Sequence, residues 1–308
     1  MAKKTKPPKV SLQAAIASKL LWTLQVKKDF ESVERTNDYL EKRAEKNNEF
    51  IKAPRMKYAP KYFDNELLPL YVFNHFDKSE KVIVYFHGGA YNSSPLGFHF
   101  KFIEKIHKKT KMPVLMPLYP LAPNYTYKDA YEQLDSFYEA ILSLNYEEII
   151  FIGDSAGGGL AAGLFDKIAS QGLKLPSKLV LLSPWVDITM DNPEIDLLEH
   201  VDPLISKVGL KEMGKVWAGN TDTTSPLLSP TFGNLSNYPE TTIFVGTYEI
   251  FLPDIRLFKD KLLKQGVKVN YFEYFKMHHD FLLYPIPEAK KAIKQVVNIL
   301  KSWVWYNK

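Results

Sequence analysis

The chain carries two kinds of hydrophobic pattern, and the change between them falls near residue 67. Before it, apolar residues recur at helical spacing. Leu12, Ile16, Leu20 and Leu24 stand four apart, and Trp22, Val26, Phe30 and Val33 form a neighbouring stripe. Residues 10–46 are therefore expected to form one or two amphipathic helices whose stripes cover something apolar. After residue 67, short apolar runs alternate with longer helical ones. Strands are predicted at Leu68–Phe76, read as an edge strand, and at Val82–Phe86, Val114–Tyr119, Ile149–Ile152, Leu179–Leu182, Thr242–Val245 and Val267–Phe275. Helices are predicted at Phe98–Lys109, Tyr127–Leu144, Ala156–Gln171, Asp254–Gln265 and Glu288–Trp303. The unbroken apolar run Val82–Phe86 suits a strand buried on both faces. Gly266 fits a helix C-cap and Pro287 a helix start.

This alternation predicts the α/β class, a mostly parallel sheet with helices on both faces. Residues 187–226 interrupt it with Asp, Asn, Pro and short helical stretches. They are expected to join residues of about 1–50 as a helical cap on a single domain spanning 1–308. Ligands of such sheets bind at the carboxyl ends of the strands. His87, Ser155, Glu249 and His279 all follow predicted strand ends.

Composition narrows the picture. With 308 residues, 45% hydrophobic and 24% charged, the chain has material for one sizeable core. It has no cysteine, which excludes disulfides, thiolate chemistry and cysteine-based zinc sites and agrees with a cytoplasmic location. Much of the net charge of +5 comes from Lys3, Lys4, Lys6 and Lys9, read as a solvated basic tail. Residues 10–26 follow that tail in the manner of a signal peptide, but Gln13, Ser18, Lys19 and Gln25 interrupt them. They are read as a helix of the mature protein. No apolar run is long enough to span a bilayer, so no stable membrane insertion is expected. No nucleic-acid module is visible, and a homo-oligomer is left open.

The chemistry centres on Gly153-Asp154-Ser155-Ala156-Gly157, placed between an apolar strand and a small-residue helix. A bare Gly-x-Ser-x-Gly arises often enough by chance that context must decide. The strand–turn–helix setting presents the serine at the apex of a sharp turn, as a nucleophile requires. A serine hydroxyl needs a base, and the base needs a third group to fix its tautomer. The late histidines, His278 and His279, lie just past the last predicted strand. Two acids, Glu249 and Asp254, follow the strand before it. Asp254 comes directly after Pro253, where a first-turn helix acid explains it. Glu249 has no such local explanation and is the favoured acid, with Asp254 the alternative. In His87-Gly88-Gly89-Ala90, the Gly88 and Gly89 N–H groups, with that of Ala156, are the candidate oxyanion hole. His87 is assigned to holding this loop. No metal site is expected, since no second ligand lies at suitable spacing near it.

Together, His87-Gly88-Gly89-Ala90 and Gly153-Asp154-Ser155-Ala156-Gly157-Gly158 resemble the hormone-sensitive-lipase-like branch of the α/β-hydrolases. Tyr119-Pro120-Leu121-Ala122-Pro123 and Ser183-Pro184-Trp185-Val186-Asp187 are similar to further segments of that family, and the likeness covers roughly residues 65–305. The resemblance implies an eight-stranded sheet, a cap built from the N-terminus and an insertion, and hydrolysis of small, short-acyl carboxylic esters through an acyl-enzyme without a cofactor. It selects His279 of His279-Asp280-Phe281 as the base. The family's usual Asp-Pro-Leu is replaced by Glu249-Ile250-Phe251. Two other readings share the scaffold: a non-catalytic small-molecule binder and an amide hydrolase.

Overall fold

The computed structural model describes residues 9–47, 49, 51–65, 68–76 and 79–302. The lysines at 3, 4 and 6 and the predicted helix end at Trp303 lie outside them. Eight strands form one sheet: β1 Lys61–Phe63, β2 Leu70–Phe73, β3 Lys81–Phe86, β4 Val114–Pro117, β5 Glu148–Asp154, β6 Lys178–Leu182, β7 Glu240–Gly246 and β8 Val269–Tyr274. Their order is β1-β2-β4-β3-β5-β6-β7-β8. β1 and β2 run antiparallel to their neighbours, and β3 through β8 are parallel. This is the α/β-hydrolase fold. The segment read as an edge strand is not the edge, because β1 pairs outside it. β1 is only three residues long, with an exposed–half-buried–exposed pattern, too short to leave a periodic signal.

The main helices are α1 Leu12–Leu24, α2 Val33–Lys46, α3 Gly97–Thr110, α4 Tyr127–Ser143, α5 Ser155–Ser170, α6 Lys207–Ala218, α7 Leu252–Lys264 and α8 Pro287–Lys301. Their ends follow local chemistry. Thr126 and Asp129 form a capping box at α4, with the Thr126 N–H donating to Asp129 Oδ2 at 2.8 Å. α8 opens on Pro287, and α7 ends before Gly266, whose φ is +83°. None of these helices is long and apolar enough to cross a membrane.

The central strands are fully buried, so each face of the sheet carries its own core. One core packs α3 and α8 against Ile83, Tyr85, Ile150 and Ile152. The other packs α4, α5 and α7 against the alternate positions Val82, Val84, Ile149 and Phe151, and takes in Trp185 and Trp217. This alternation is the period-two geometry of a strand buried on both sides. In-register pairing of Phe86 with Gly153 and of Gly153 with Leu181 brings the carboxyl ends of β3, β5 and β6 to one edge.

The N-terminal stripes do not behave as expected. α2 does pack inward: a Cβ on Gly209 of α6 would lie 2.5 Å from Phe30 Cβ, just before α2. Lys27 meets Glu199 at 3.1 Å, and the Tyr39 and Ser93 hydroxyls are 2.9 Å apart. In α1, by contrast, Leu12, Ile16, Leu20 and Leu24 are 73%, 60%, 56% and 59% exposed. The face that packs is the opposite one, with Ala14 buried and Ala17, Ser18 and Leu21 half-buried. Small residues there admit close approach to the body, and the large apolar side chains point away.

Candidate active site

Ser155 is the first residue of α5 and takes a left-handed φ of 52° directly after β5. This strained turn is possible only because its neighbours lack side chains. A Cβ on Gly153 would sit 2.3 Å from the Gly157 carbonyl oxygen, and one on Gly157 would sit 2.1 Å from that of Phe86. The turn therefore presses against the carboxyl end of β3 and lifts Ser155 to the sheet edge.

Three of the predicted residues meet there. Ser155 Oγ lies 2.9 Å from His279 Nε2, and His279 Nδ1 lies 2.7 Å from Glu249 Oε2. With the Nδ1 proton held by the Glu249 carboxylate, Nε2 is the lone-pair nitrogen that accepts from the Ser155 hydroxyl. Glu249 is wholly buried in the loop between β7 and α7. Its other oxygen accepts from the Gly246 N–H at 2.6 Å and the Ser183 hydroxyl at 2.9 Å. His279 follows β8, stands edge-on to Phe251 and receives the Tyr284 hydroxyl on its carbonyl at 2.8 Å. The arrangement can move a proton from the serine to the imidazole and hold the resulting cation.

His278 and Asp254 stand elsewhere. His278 Nε2 is 2.7 Å from the Ser18 hydroxyl of α1 and Nδ1 is 3.3 Å from the Tyr248 carbonyl; burial lowers its pKa. Asp254 lies in the first turn of α7 and accepts from Asn192 Nδ2 at 2.7 Å. Burial chiefly, with Asp187 nearby, pushes its carboxyl up to about 7.

The Gly88–Gly89 loop divides its work. The Gly88 N–H does not stand free for a substrate oxygen: it donates to Asp154 Oδ2 at 3.0 Å. Gly89 takes φ +123°, a backbone shape open to glycine, and a Cβ there would lie 2.6 Å from the Ser93 carbonyl oxygen. Ala156 is at the second position of α5, where a helix N–H has no intrahelical partner. His87 lies stacked on Tyr119 with ring centroids 4.6 Å apart, and its Nδ1 is 2.8 Å from the Gly88 carbonyl. Burial, helped by His99, lowers its pKa to about 4, so it is neutral.

Several contributors carried no isolated signal in the sequence. Asp154 is a buried hub that meets the Tyr85 hydroxyl, the Gly88 N–H and, at 3.3 Å, His99 Nε2. Asp202, from the 187–226 segment, accepts from the N–H groups of Leu204 at 2.9 Å and Ile250 at 3.1 Å, so it braces the residue after Glu249. Burial raises its pKa to about 6. Asp280 Oδ2 is 3.3 Å from His279 Nε2, on the same side as Ser155. Only its place beside the histidine could have marked it. Burial alone would lower the His279 pKa, but Asp280, Glu249 and Asp202 outweigh it and push it up to about 9. Among the described residues, no cluster of three or more His, Asp or Glu is placed to share a metal ion.

Comparison with known proteins agrees with this fold. Residues 83–283 match the family model described as the alpha/beta hydrolase fold. An esterase of Acinetobacter venetianus is 31% identical over 72% of this chain and 75% of its own length. An acetyl-hydrolase of Streptomyces hygroscopicus is 28% identical over 72% and 76%. The crystal structure of a hormone-sensitive lipase from a metagenome library superposes with a TM-score of 0.82, at 27% identity, covering 95% of this chain and 98% of that one. The chain belongs to the α/β-hydrolase fold family, in its hormone-sensitive-lipase-like branch. It is a carboxylic ester hydrolase.

Proposed function

We propose that the chain hydrolyses small, short-acyl carboxylic esters through an acyl-enzyme on Ser155. The observation that carries this reading is the hydrogen-bond chain from Ser155 through His279 to the buried Glu249. In the mechanism, His279 takes the hydroxyl proton as Ser155 attacks the carbonyl carbon. The Gly89 and Ala156 N–H groups hold the oxyanion, while Gly88, tied to Asp154, fixes the loop that presents Gly89. His279 then protonates the leaving alcohol. Water, deprotonated by the same histidine, releases the acid. Glu249 holds the tautomer and balances the imidazolium charge. Residues 10–46 and 187–226 act as the cap over the acyl and alcohol pockets. The short-acyl preference draws support from the acetyl-hydrolase relative.

The test is a series of p-nitrophenyl esters of rising chain length, run beside Ser155→Ala. The variant is expected to lose kcat by about 10⁴-fold or more, with its melting temperature retained. A fluorophosphonate probe is expected to label Ser155 and no other residue. A labelled protein that turns over no ester would support the amide reading; an unlabelled one would support a binder.

A further inference from the structure

The outward stripe of α1 is a surface feature that the ester chemistry does not use. Leu12, Ile16, Leu20 and Leu24 fall within about 120° of one another around the helix, all more than half exposed, with Trp22 46% exposed at the flank. Scattered exposed leucines need no explanation, but a contiguous row of this kind on one helix does. The helix is also firmly placed. Ser11 caps it and binds Glu288 through both its N–H and its hydroxyl, each at 2.8 Å, and Ser18 reaches His278. The stripe therefore points outward from an anchored helix.

Charge decides what it meets. Residues 1–28 contain no Asp or Glu. Lys3, Lys4, Lys6 and Lys9 precede the helix, Lys19 lies on it and Lys28 follows it. Lys27 is engaged inward with Glu199. Two copies of so positive a segment repel each other face to face, which disfavours a second chain as the occupant. An apolar row flanked by lysines and a tryptophan suits an anionic lipid surface, where leucines enter the acyl boundary and ammonium groups meet phosphates. We propose that α1 docks this hydrolase on anionic lipid–water interfaces. Ser18 and Tyr248 also line an open groove of about 450 Å³ beside α1, with Ala14, Ala15 and Phe275. Ser18 reaches His278, the chain neighbour of His279, so α1 packs close to the loop that carries the reactive histidine.

Docking is measured by sedimentation, without turnover, so its outcome is independent of the esterase reading. The full chain is spun with sucrose-loaded vesicles of equal parts phosphatidylglycerol and phosphatidylcholine, and with phosphatidylcholine alone. Binding is expected to be roughly tenfold or more tighter to the anionic vesicles and to weaken in high salt. Ile16→Asp/Leu20→Asp is expected to lose it by a similar factor while keeping its melting temperature and its hydrolysis of a soluble ester. Lys9→Glu/Lys19→Glu tests the charge separately and is expected to lose the preference for phosphatidylglycerol. Wild-type binding that survives the double aspartate variant overturns the proposal. So does a wild type that ignores vesicles, whether light scattering shows a monomer or a dimer that the aspartates dissociate.

Discussion

A histidine that acts as a general base must be neutral, so its pKa sets the acid limb of the rate profile. The carboxylates around His279 push its pKa up to about 9, against the opposing effect of burial. The kcat/KM of the free enzyme is therefore expected to rise through the neutral range and level off only near pH 9. Burial raises the pKa of Asp280 itself well above the ordinary carboxylate value, so Asp280→Asn, 3.3 Å from Nε2, is expected to move that limb toward acid only as far as Asp280 is ionised. A pH profile of kcat/KM on a soluble ester checks both; a limb near the ordinary histidine value in the wild type would refute the shift. The two acids separate in the same way. Glu249→Gln is expected to lower kcat by about 10²–10⁴-fold with little loss of stability. Asp254→Asn is expected to leave kcat unchanged and raise the melting temperature at pH 8. The Asp254 pKa is higher folded than unfolded, so its stabilising contribution is complete below its ordinary 3.8 and is lost as pH rises through about 7. Removing it gains on the order of 1–3 kcal/mol at pH 8 and little at pH 4. Melting curves at both pH values, beside kcat, decide it.

At the scale of elements, the β5–α5 turn is the most constrained. Gly157→Ala places a methyl 2.1 Å from the Phe86 carbonyl oxygen, so β3 and the turn must part. A loss of about 1–3 kcal/mol is expected, together with sharply slower fluorophosphonate labelling, because Ser155 moves with the turn. Normal labelling in this variant would show that the turn tolerates the shift. Long elements were legible because their pattern is redundant: α3 and α4 each repeat an apolar face over several turns, and the predicted bounds lie within a residue of the observed ones. β1 was not legible, since its three residues hold no period. The α1 stripe was legible as a stripe and misleading as to direction. Periodicity reports that one face is apolar, and only packing reports whether that face is turned inward.

At the scale of the molecule, residues 10–46 join the 187–226 segment and supply none of the Ser155–His279–Glu249 hydrogen bonds. Phe30 packs on Gly209, and Lys27 holds Glu199. Deleting residues 1–45 is therefore expected to raise KM and flatten chain-length selectivity. On the shortest ester, kcat is expected to stay within about threefold, because uniform binding is lost while the reacting groups remain. Steady-state kinetics across the ester series measures it; unchanged selectivity would show that this segment is no part of the substrate site.

The sequence alone determined the alternation that makes an α/β sheet, the glycine-flanked Ser155 turn and the chain order of serine, acid and histidine. These features are local, written in periodicity and in residues that only one backbone shape admits. Tertiary structure decided the rest. It gave His278 to Ser18 and Asp254 to Asn192, while His279 and Glu249, already favoured in the sequence, join Ser155 in one hydrogen-bond chain. It gave the Gly88 N–H to Asp154, 66 residues away, and set Asp280 against the imidazole. Hydrogen-bond partners and burial depend on what the fold brings near, and one-dimensional spacing does not encode that.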